Sequence, residues 1–371
     1  MRKKQHLQNR KFNKPRIAVC ILLLVWLLFK EPGEEKDIFF EVTAQMVPLL
    51  TYEQEYGNPD VDYATTYQVP DWFYEDEGEL PVNGDIVTME EQTQQEESVT
   101  TLADGNIGTT FTREQMSDPA FLLNKVFVVD GNTSMTDEEL SISNLLDMDL
   151  SIENISGSGS DSAPKILIYH THASETFVDS REGYPEDTIV GVGTYLEEIL
   201  EKQYGIPVYH DTTTYDMIDG VLDRSKAYEN SYNGVSKILA DNPSIEVVID
   251  LHRDGVDEET HLVTEINGKK TAKIMFLNGV SRSTMNGEIA YLENPNKLTN
   301  LAFSFQMYIE GKKQYGDYVR KIYVRSLRYN LHVMPRATLV EVGAQNNTLE
   351  EEKNAMEPLA AILYKVLSKK E

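Results

Sequence analysis

The sequence predicts an α/β fold over residues 164–371: a mostly parallel, twisted sheet flanked by helices. Three observations carry this. The runs at 166–169 (ILIY), 245–251 (IEVVIDL) and 337–342 (ATLVEV) are short, apolar and rich in β-branched residues, as strands covered on both faces are. Helical patterns stand between such runs, as crossovers in a parallel sheet require. Stop signals fall between the patterns, at Gly205 and at Asn242-Pro243.

Taken in order, 166–169 is the first strand, ending in His170, Thr171 and His172. Residues 194–202 (TYLEEILEK) read as a helix stopped by Gly205, and 206–210 as a short strand. Residues 220–240 are helical at least in their later part. Residues 245–251 form a second buried strand running into His252, and 272–277 a third. An amphipathic helix over 298–315 follows, then a last strand over 337–342 and a helix over 349–368.

Three strands therefore end in histidines or an acid: His170/His172, His252 and Glu341. If they are parallel, their carboxyl ends share one sheet edge, where α/β folds gather ligands and catalytic groups. Two imidazoles with a carboxylate are the nitrogen and oxygen donors that zinc takes, and a catalytic zinc site keeps an open position for water. His172 and His252 are candidate zinc ligands, with an acid as the third; Glu175 lies three residues beyond His172. Glu341 is the candidate proton carrier, taking a proton from water and passing it to a leaving amine. A lone strand-end histidine is commonly structural, Glu341 can pair with Arg336 or cap the next helix, and it is the conjunction that points to a metal hydrolase. Arg253 and Asp254 follow His252 and either hold substrate, orient a ligand or form a turn ion pair. Arg224 reads as an ion-pair partner, and His210, His261 and His332 as structural.

The rest of the chain sets the context. The formal net charge of -27 is unevenly spread: residues 1–16 hold seven Lys/Arg and no acid, while 31–100 hold nineteen Asp/Glu and one lysine. Such a chain lacks the cations that displace counterions from phosphate, so no nucleic-acid partner is expected. The single cysteine, Cys20, excludes a disulfide framework and a Cys-based metal site. Cys20 sits in a thirteen-residue apolar run, 17–29. A cleavable signal peptide has similar regions, but KEPGEEKD follows without a small-x-small cleavage site, which favours an uncleaved transmembrane anchor. Residues 1–16 would then be a basic cytoplasmic tail, with the bulk of the chain outside. Residues 31–117 read as an acidic, low-order tether. Residues 118–163 read as a small subdomain closed by the linker SGSGSDSAP; within it, 121–129 is a helix or a strand, and Thr136 with Glu139 has capping-box spacing.

Several ordered motifs resemble those of the stage II sporulation protein P family: FLLNKVFVVDGNTSMT (121–136), MDLSI (148–152), ILIYHTHASETF (166–177), VVIDLHRDG (247–255) and LVEVGAQNNTLEE (339–351). The likeness covers roughly 120–371. More distantly, 164–371 is similar to zinc-dependent N-acetylmuramoyl-L-alanine amidases. Their first ligand histidine falls in register on His172, their later one on His252, and their catalytic glutamate on Glu341. Their ligand glutamate would land on Glu186, where flanking residues match poorly, whereas Glu175 belongs to the sporulation-family motif. The resemblance implies a membrane-anchored peptidoglycan hydrolase of sporulation. It would use Zn2+ bound by His172, Glu175 and His252, with Glu341 catalytic and Arg253 contacting substrate. It implies cleavage of the amide between N-acetylmuramic acid and L-alanine, and of peptide cross-links as well, in septal wall thinning and engulfment. Partners would be stage II sporulation proteins D and M, at the septum between mother cell and forespore. A wall-binding scaffold that does not cut, and an endopeptidase acting on cross-links alone, remain the alternatives.

Overall fold

The computed structural model describes residues 98–101, 107–156, 163–218 and 220–368. The predicted apolar runs become strands of one seven-stranded sheet. In chain order these are β1 (Phe127–Val129), β2 (Ile166–Tyr169), β3 (Val208–His210), β4 (Val247–Asp254), β5 (Ile274–Gly279), β6 (Ile322–Arg325) and β7 (Ala337–Ala344). Across the sheet the order is β1-β6-β5-β7-β4-β2-β3. Five of the six neighbouring pairs are parallel; β5 against β7 is antiparallel. The sheet is thus two parallel blocks of opposite direction, with β7, β4, β2 and β3 pointing the same way.

Among the described residues, the helices longer than one turn are α1 (Pro119–Lys125), α2 (Ile189–Tyr204), α3 (Ala227–Asp241), α4 (Lys297–Tyr315) and α5 (Leu349–Leu367). Their ends follow local chemistry. Asp118 caps α1 with Pro119 behind it, and Gly205 closes α2 in the left-handed region at φ 68°. Thr348 and Glu351 cap α5 reciprocally.

Strand residues alternate between faces, and the two faces bury different layers. Ile166, Ile168, Ile249, Leu251, Val340 and Val342 face the larger core, shared with α2, α4 and α5. Leu167, Tyr169, Val248 and Leu339 face Val235 of α3 and the segment around Leu331. The thinner α3 side is where the candidate site lies.

Several boundaries differ from those expected. The later part of 220–240 is helical as expected, from Ala227, but an unexpected short hairpin of Met217–Ile218 with Val221–Leu222 precedes it. The strand expected over 272–277 runs from Ile274 to Gly279, behind an unexpected hairpin of Val263–Ile266 with Lys269–Ala272. β6 was not expected at all. The segment 121–129 is helix then strand, and β1 joins the sheet edge by pairing with β6. Leu122, Val126, Leu145, Leu150 and Ile152 enter the main core, so residues 118–156 are built into the domain they precede. The Thr136–Glu139 capping box forms, with bonds of 2.8 and 3.3 Å, but the helix beyond it is only Ile142–Leu145.

Within the expected tether, Ser98–Thr101 and Ile107–Thr110 form a hairpin, and Phe111 stacks on Tyr308 of α4 at 6.5 Å. The remainder of the tether, and the apolar run 17–29, lie outside the described residues. The expected single-pass membrane localisation is corrected: among the described residues no helix is long and apolar enough to cross a membrane. Thirteen residues of helix would in any case span only about 20 Å of a hydrocarbon core about 30 Å thick.

Candidate active site

The carboxyl ends of β2, β4 and β7 converge at one edge, because these strands are adjacent and parallel. The register sets Glu341 directly beside His252. Both are even steps from residues of the α3 face, Glu341 from Leu339 and His252 from Val248, so both point to that side. A bulge between Glu341 and Ala344 ends the pairing just past Glu341, and such bulges re-aim the residue beside them. Gly343 there has φ 48°, and a Cβ on it would meet Glu352 Oε1 at 1.9 Å, so only glycine fits.

His252 is 3% exposed. Its Nε2 lies 2.7 Å from Asp250 Oδ1, off the N–H axis, and its Nδ1 lies 3.6 Å from Glu175 Oε2. Burial works against a charged imidazole, but Asp250 and Glu175 outweigh it and hold the His252 pKa well above its usual value. Asp250, fully buried, also accepts from the Thr171 backbone at 2.9 Å and its hydroxyl at 2.7 Å. Burial opposes its ionisation, yet His252 and Thr171 keep its pKa low. Glu175 is 2% exposed and accepts from the Arg253 backbone N–H at 3.0 Å. Against burial, His252 and Arg253 depress its pKa.

The His172 ring packs edge-on to His252 at 5.3 Å and to Tyr228 at 5.7 Å. Burial first, then the positive His252, push its pKa down to about 3, so it stays neutral. The Glu341 carboxyl is forced the other way: burial and the neighbouring Asp254 raise its pKa well above the carboxylate range. Its Oε2 is buried with no hydrogen-bond partner among the described residues. Asp254 is itself held by Arg320 at 2.8 Å. The edge thus gathers four carboxyl groups, Asp250, Glu175, Asp254 and Glu341, around one imidazolium.

The structure brings His172, Glu175, His252 and Glu341 together. It leaves Glu186 outside: that side chain is 61% exposed and pairs with Arg181 at 3.6 Å. It also turns His170 away, onto the α2 face. His170 Nδ1 donates to the Leu251 carbonyl at 2.8 Å, so its Nε2 accepts from His210 Nε2 at 2.9 Å. Gly193 of α2 makes room for the two rings. His210, read as structural, is that partner, and its Nδ1 lies 3.2 Å from Glu197 Oε2. Arg253, one residue from His252, lies on the opposite face. Its side chain is 8% exposed and donates to the Asp254 carbonyl at 3.1 Å, so only its backbone meets the site.

Sequence reasoning missed Asp250 and Tyr228. Asp250 carried a signal, since an acid inside the buried run IEVVIDL needs a partner. Tyr228 carried none, being brought to His172 by the packing of α3.

As donors, His172, Glu175 and His252 suit zinc: a neutral imidazole, an ionised carboxylate and a second imidazole in a pocket of excess negative charge. As arranged, His252 is engaged by two carboxylates, and among the described residues no three His, Cys, Asp or Glu side chains close around a common point. Loading a cation would require His252 to give up the proton its carboxylates now stabilise.

A family model described as stage II sporulation protein P matches residues 73–364, reaching well into the acidic segment before the first motif. Stage II sporulation protein P of Bacillus subtilis (strain 168) is 25% identical over 207 residues, 53% of this chain and 49% of that protein. The chain therefore spans about half the length of this curated relative. Among solved structures, the CwlD amidase from Clostridioides difficile in complex with the GerS lipoprotein is 15% identical with a TM-score of 0.35, covering 54% of this chain and 98% of that one. The catalytic domain of CwlV, an N-acetylmuramoyl-L-alanine amidase from Bacillus (Paenibacillus) polymyxa var. colistinus, is 17% identical with a TM-score of 0.31, covering 54% and 97%. Likeness at that level bears on neither activity nor substrate. The family match extends over most of the chain and includes every strand that carries a candidate site residue: the chain belongs to the stage II sporulation protein P family.

Proposed function

We propose that the protein is a peptidoglycan hydrolase of sporulation, cutting the amide between the lactyl group of N-acetylmuramic acid and L-alanine. The observation that carries this reading is half-buried Glu341, whose Oε2 is buried and unpartnered among the described residues, beside His252 at the edge where His172 and Glu175 also lie. A buried carboxyl whose pKa is raised can give and take a proton near neutral pH, which an exposed glutamate does poorly. Family membership supports the setting in septal wall thinning.

In this reading His172, Glu175 and His252 would hold a zinc ion, which when bound polarises a carbonyl and makes its water more acidic. Glu341 takes the proton from the attacking water and delivers it to the departing amine as the C–N bond breaks. Asp250 holds His252 in place, Thr171 ties Asp250 to the end of β2, and the Arg253 backbone N–H fixes Glu175. Substrate is thus met on the α3 side, and the Arg253 guanidinium acts from behind. Partners of the D and M kind enter through family resemblance.

The test is digestion of purified peptidoglycan by the full chain with zinc, with the released fragments identified by mass spectrometry. Free stem peptides, absent with Glu341→Gln, are expected. Unlinked stems still attached to sugar would replace the amidase reading with a cross-link endopeptidase, and no release from a folded, zinc-loaded chain would favour a scaffold.

A further inference from the structure

On the α3 side of the site, the Tyr228 hydroxyl has no role in this chemistry. Tyr228 lies in the first turn of α3, half-buried, with its ring edge-on to His172 at 5.7 Å and 87°. On its other side it meets Tyr329 edge-on at 5.5 Å and 78°. Its backbone is pinned as well as its ring. The Tyr228 carbonyl accepts from Asn330 Nδ2 at 2.8 Å, and the same amide reaches Ser231 Oγ at 3.1 Å. Tyr329 and Asn330 are both left-handed, at φ 47° and 55°, a conformation disfavoured for a tyrosine. The chain thus accepts strain to hold that loop against the start of α3.

The result is a fixed aromatic ring beside the candidate ligand histidine and within electrostatic reach of Asp250 and Glu341. Among the described residues its hydroxyl makes no hydrogen bond. Asp250 is engaged by Thr171 and His252 and cannot donate when ionised. A phenol keeps its proton at neutral pH and can donate one hydrogen bond.

We propose that Tyr228 is a further catalytic residue, donating a hydrogen bond to the carbonyl oxygen of the amide under attack. This rests on the hydrolase reading above. As the water oxygen bonds to the carbonyl carbon, the C=O electron pair moves onto that oxygen, and the Tyr228 O–H stabilises it without giving up its proton. When the C=O re-forms, the C–N bond breaks and Glu341 passes the water's proton to the nitrogen. A donor aimed at developing charge raises turnover more than it tightens ground-state binding.

The experiment compares the full-length protein with Tyr228→Phe and, as a control on the same helix, Tyr232→Phe, on soluble glycan strands bearing stem peptides. Removing one such donor is expected to lower kcat by about 100-fold. KM and the melting temperature should stay near wild type, because the ring remains. Tyr232→Phe should keep the wild-type rate, since that ring is exposed and stacks on His332. Wild-type kcat in Tyr228→Phe would overturn the proposal while leaving the hydrolase intact. A loss carried wholly by KM would also overturn it, making Tyr228 a binding contact. If the wild-type chain itself releases nothing, the hydrolase reading fails and the proposal fails with it.

Discussion

Gly193→Ala sets two physical effects against each other with opposite signs. Gly193 lies inside α2, where alanine is the better helix former by about 1 kcal/mol. Helix propensity alone therefore predicts a more stable protein. The structure predicts the reverse. A Cβ there would come within 2.7 Å of His170 Nε2 and 2.8 Å of both His170 Cε1 and His210 Nε2. Neither ring has room to retreat: His170 is fully buried, and the His210 side chain is 3% exposed. Overpacking of this kind costs about 1–3 kcal/mol. Pushing the rings apart breaks the 2.9 Å His170–His210 bond, and a buried polar atom left unsatisfied costs about 1–3 kcal/mol more. Set against the propensity gain, the net loss is about 3 kcal/mol. At roughly 2–4 °C per kcal/mol for a domain of this size, the melting temperature should fall by about 6–12 °C. Urea unfolding and calorimetry of the purified variant check this. A variant as stable as wild type, or more so, would refute the claim that Gly193 is small because two histidines share its space.

Other outcomes follow from the same contacts. Arg282→Ala should cost about 3 kcal/mol in urea unfolding, because Glu139, 1% exposed, loses two 2.7 Å bonds and keeps only the Thr136 N–H and Lys297 at 3.8 Å; Glu288→Ala, removing a 58% exposed partner, should cost under about 1 kcal/mol. Acid should weaken the fold before ordinary carboxylates titrate. His170 and His210, lowered by burial to about 3 and about 4, stay neutral in the folded chain and take up protons once unfolded. Their contribution is present above about pH 6.5 and is lost as pH falls from there toward 4. His252 has the opposite sign, its contribution being full below about 6.5 and lost as pH rises through its elevated pKa. The urea midpoint should therefore drop between pH 6.5 and 5, and His210→Gln should flatten that drop. Chelation should stop release of wall fragments, and added zinc should restore it.

The strands bearing His172, His252 and Glu341 could be read from sequence because all three are buried on both faces, and that burial writes itself as an unbroken apolar run. What composition does not encode is direction. Nothing in β5 announces that it runs against β7, and the residues that matter met at one edge only because β2, β4 and β7 happen to be the parallel ones. β6 escaped notice because its four residues alternate between buried and half-buried and are flanked by Lys321 and Ser326. The hairpin before β5 had a local signal in Asn267-Gly268, both left-handed in the fold, as a tight two-residue turn demands. Alternation explains the two histidines of His170-Thr171-His172 less directly. His170 continues the phase of Ile168 onto the α2 face, whereas His172 lies past the strand end, where the chain turns toward α3. Arg253 follows the same rule: one step from His252, it must face the other way. Tyr228 was beyond reach, because a tyrosine in a helix shows its neighbours only once the helix is docked.

His172, Glu175 and His252 are proposed to form one cation site beside a carboxyl that moves the proton. Zinc content per chain, measured with wall release on the same samples, tests it most directly. One zinc per chain is expected for wild type and for Glu341→Gln, with release lost only in the latter, and none is expected for His252→Ala. Undiminished zinc in His252→Ala, or wall release by Glu341→Gln at the wild-type rate, would contradict it.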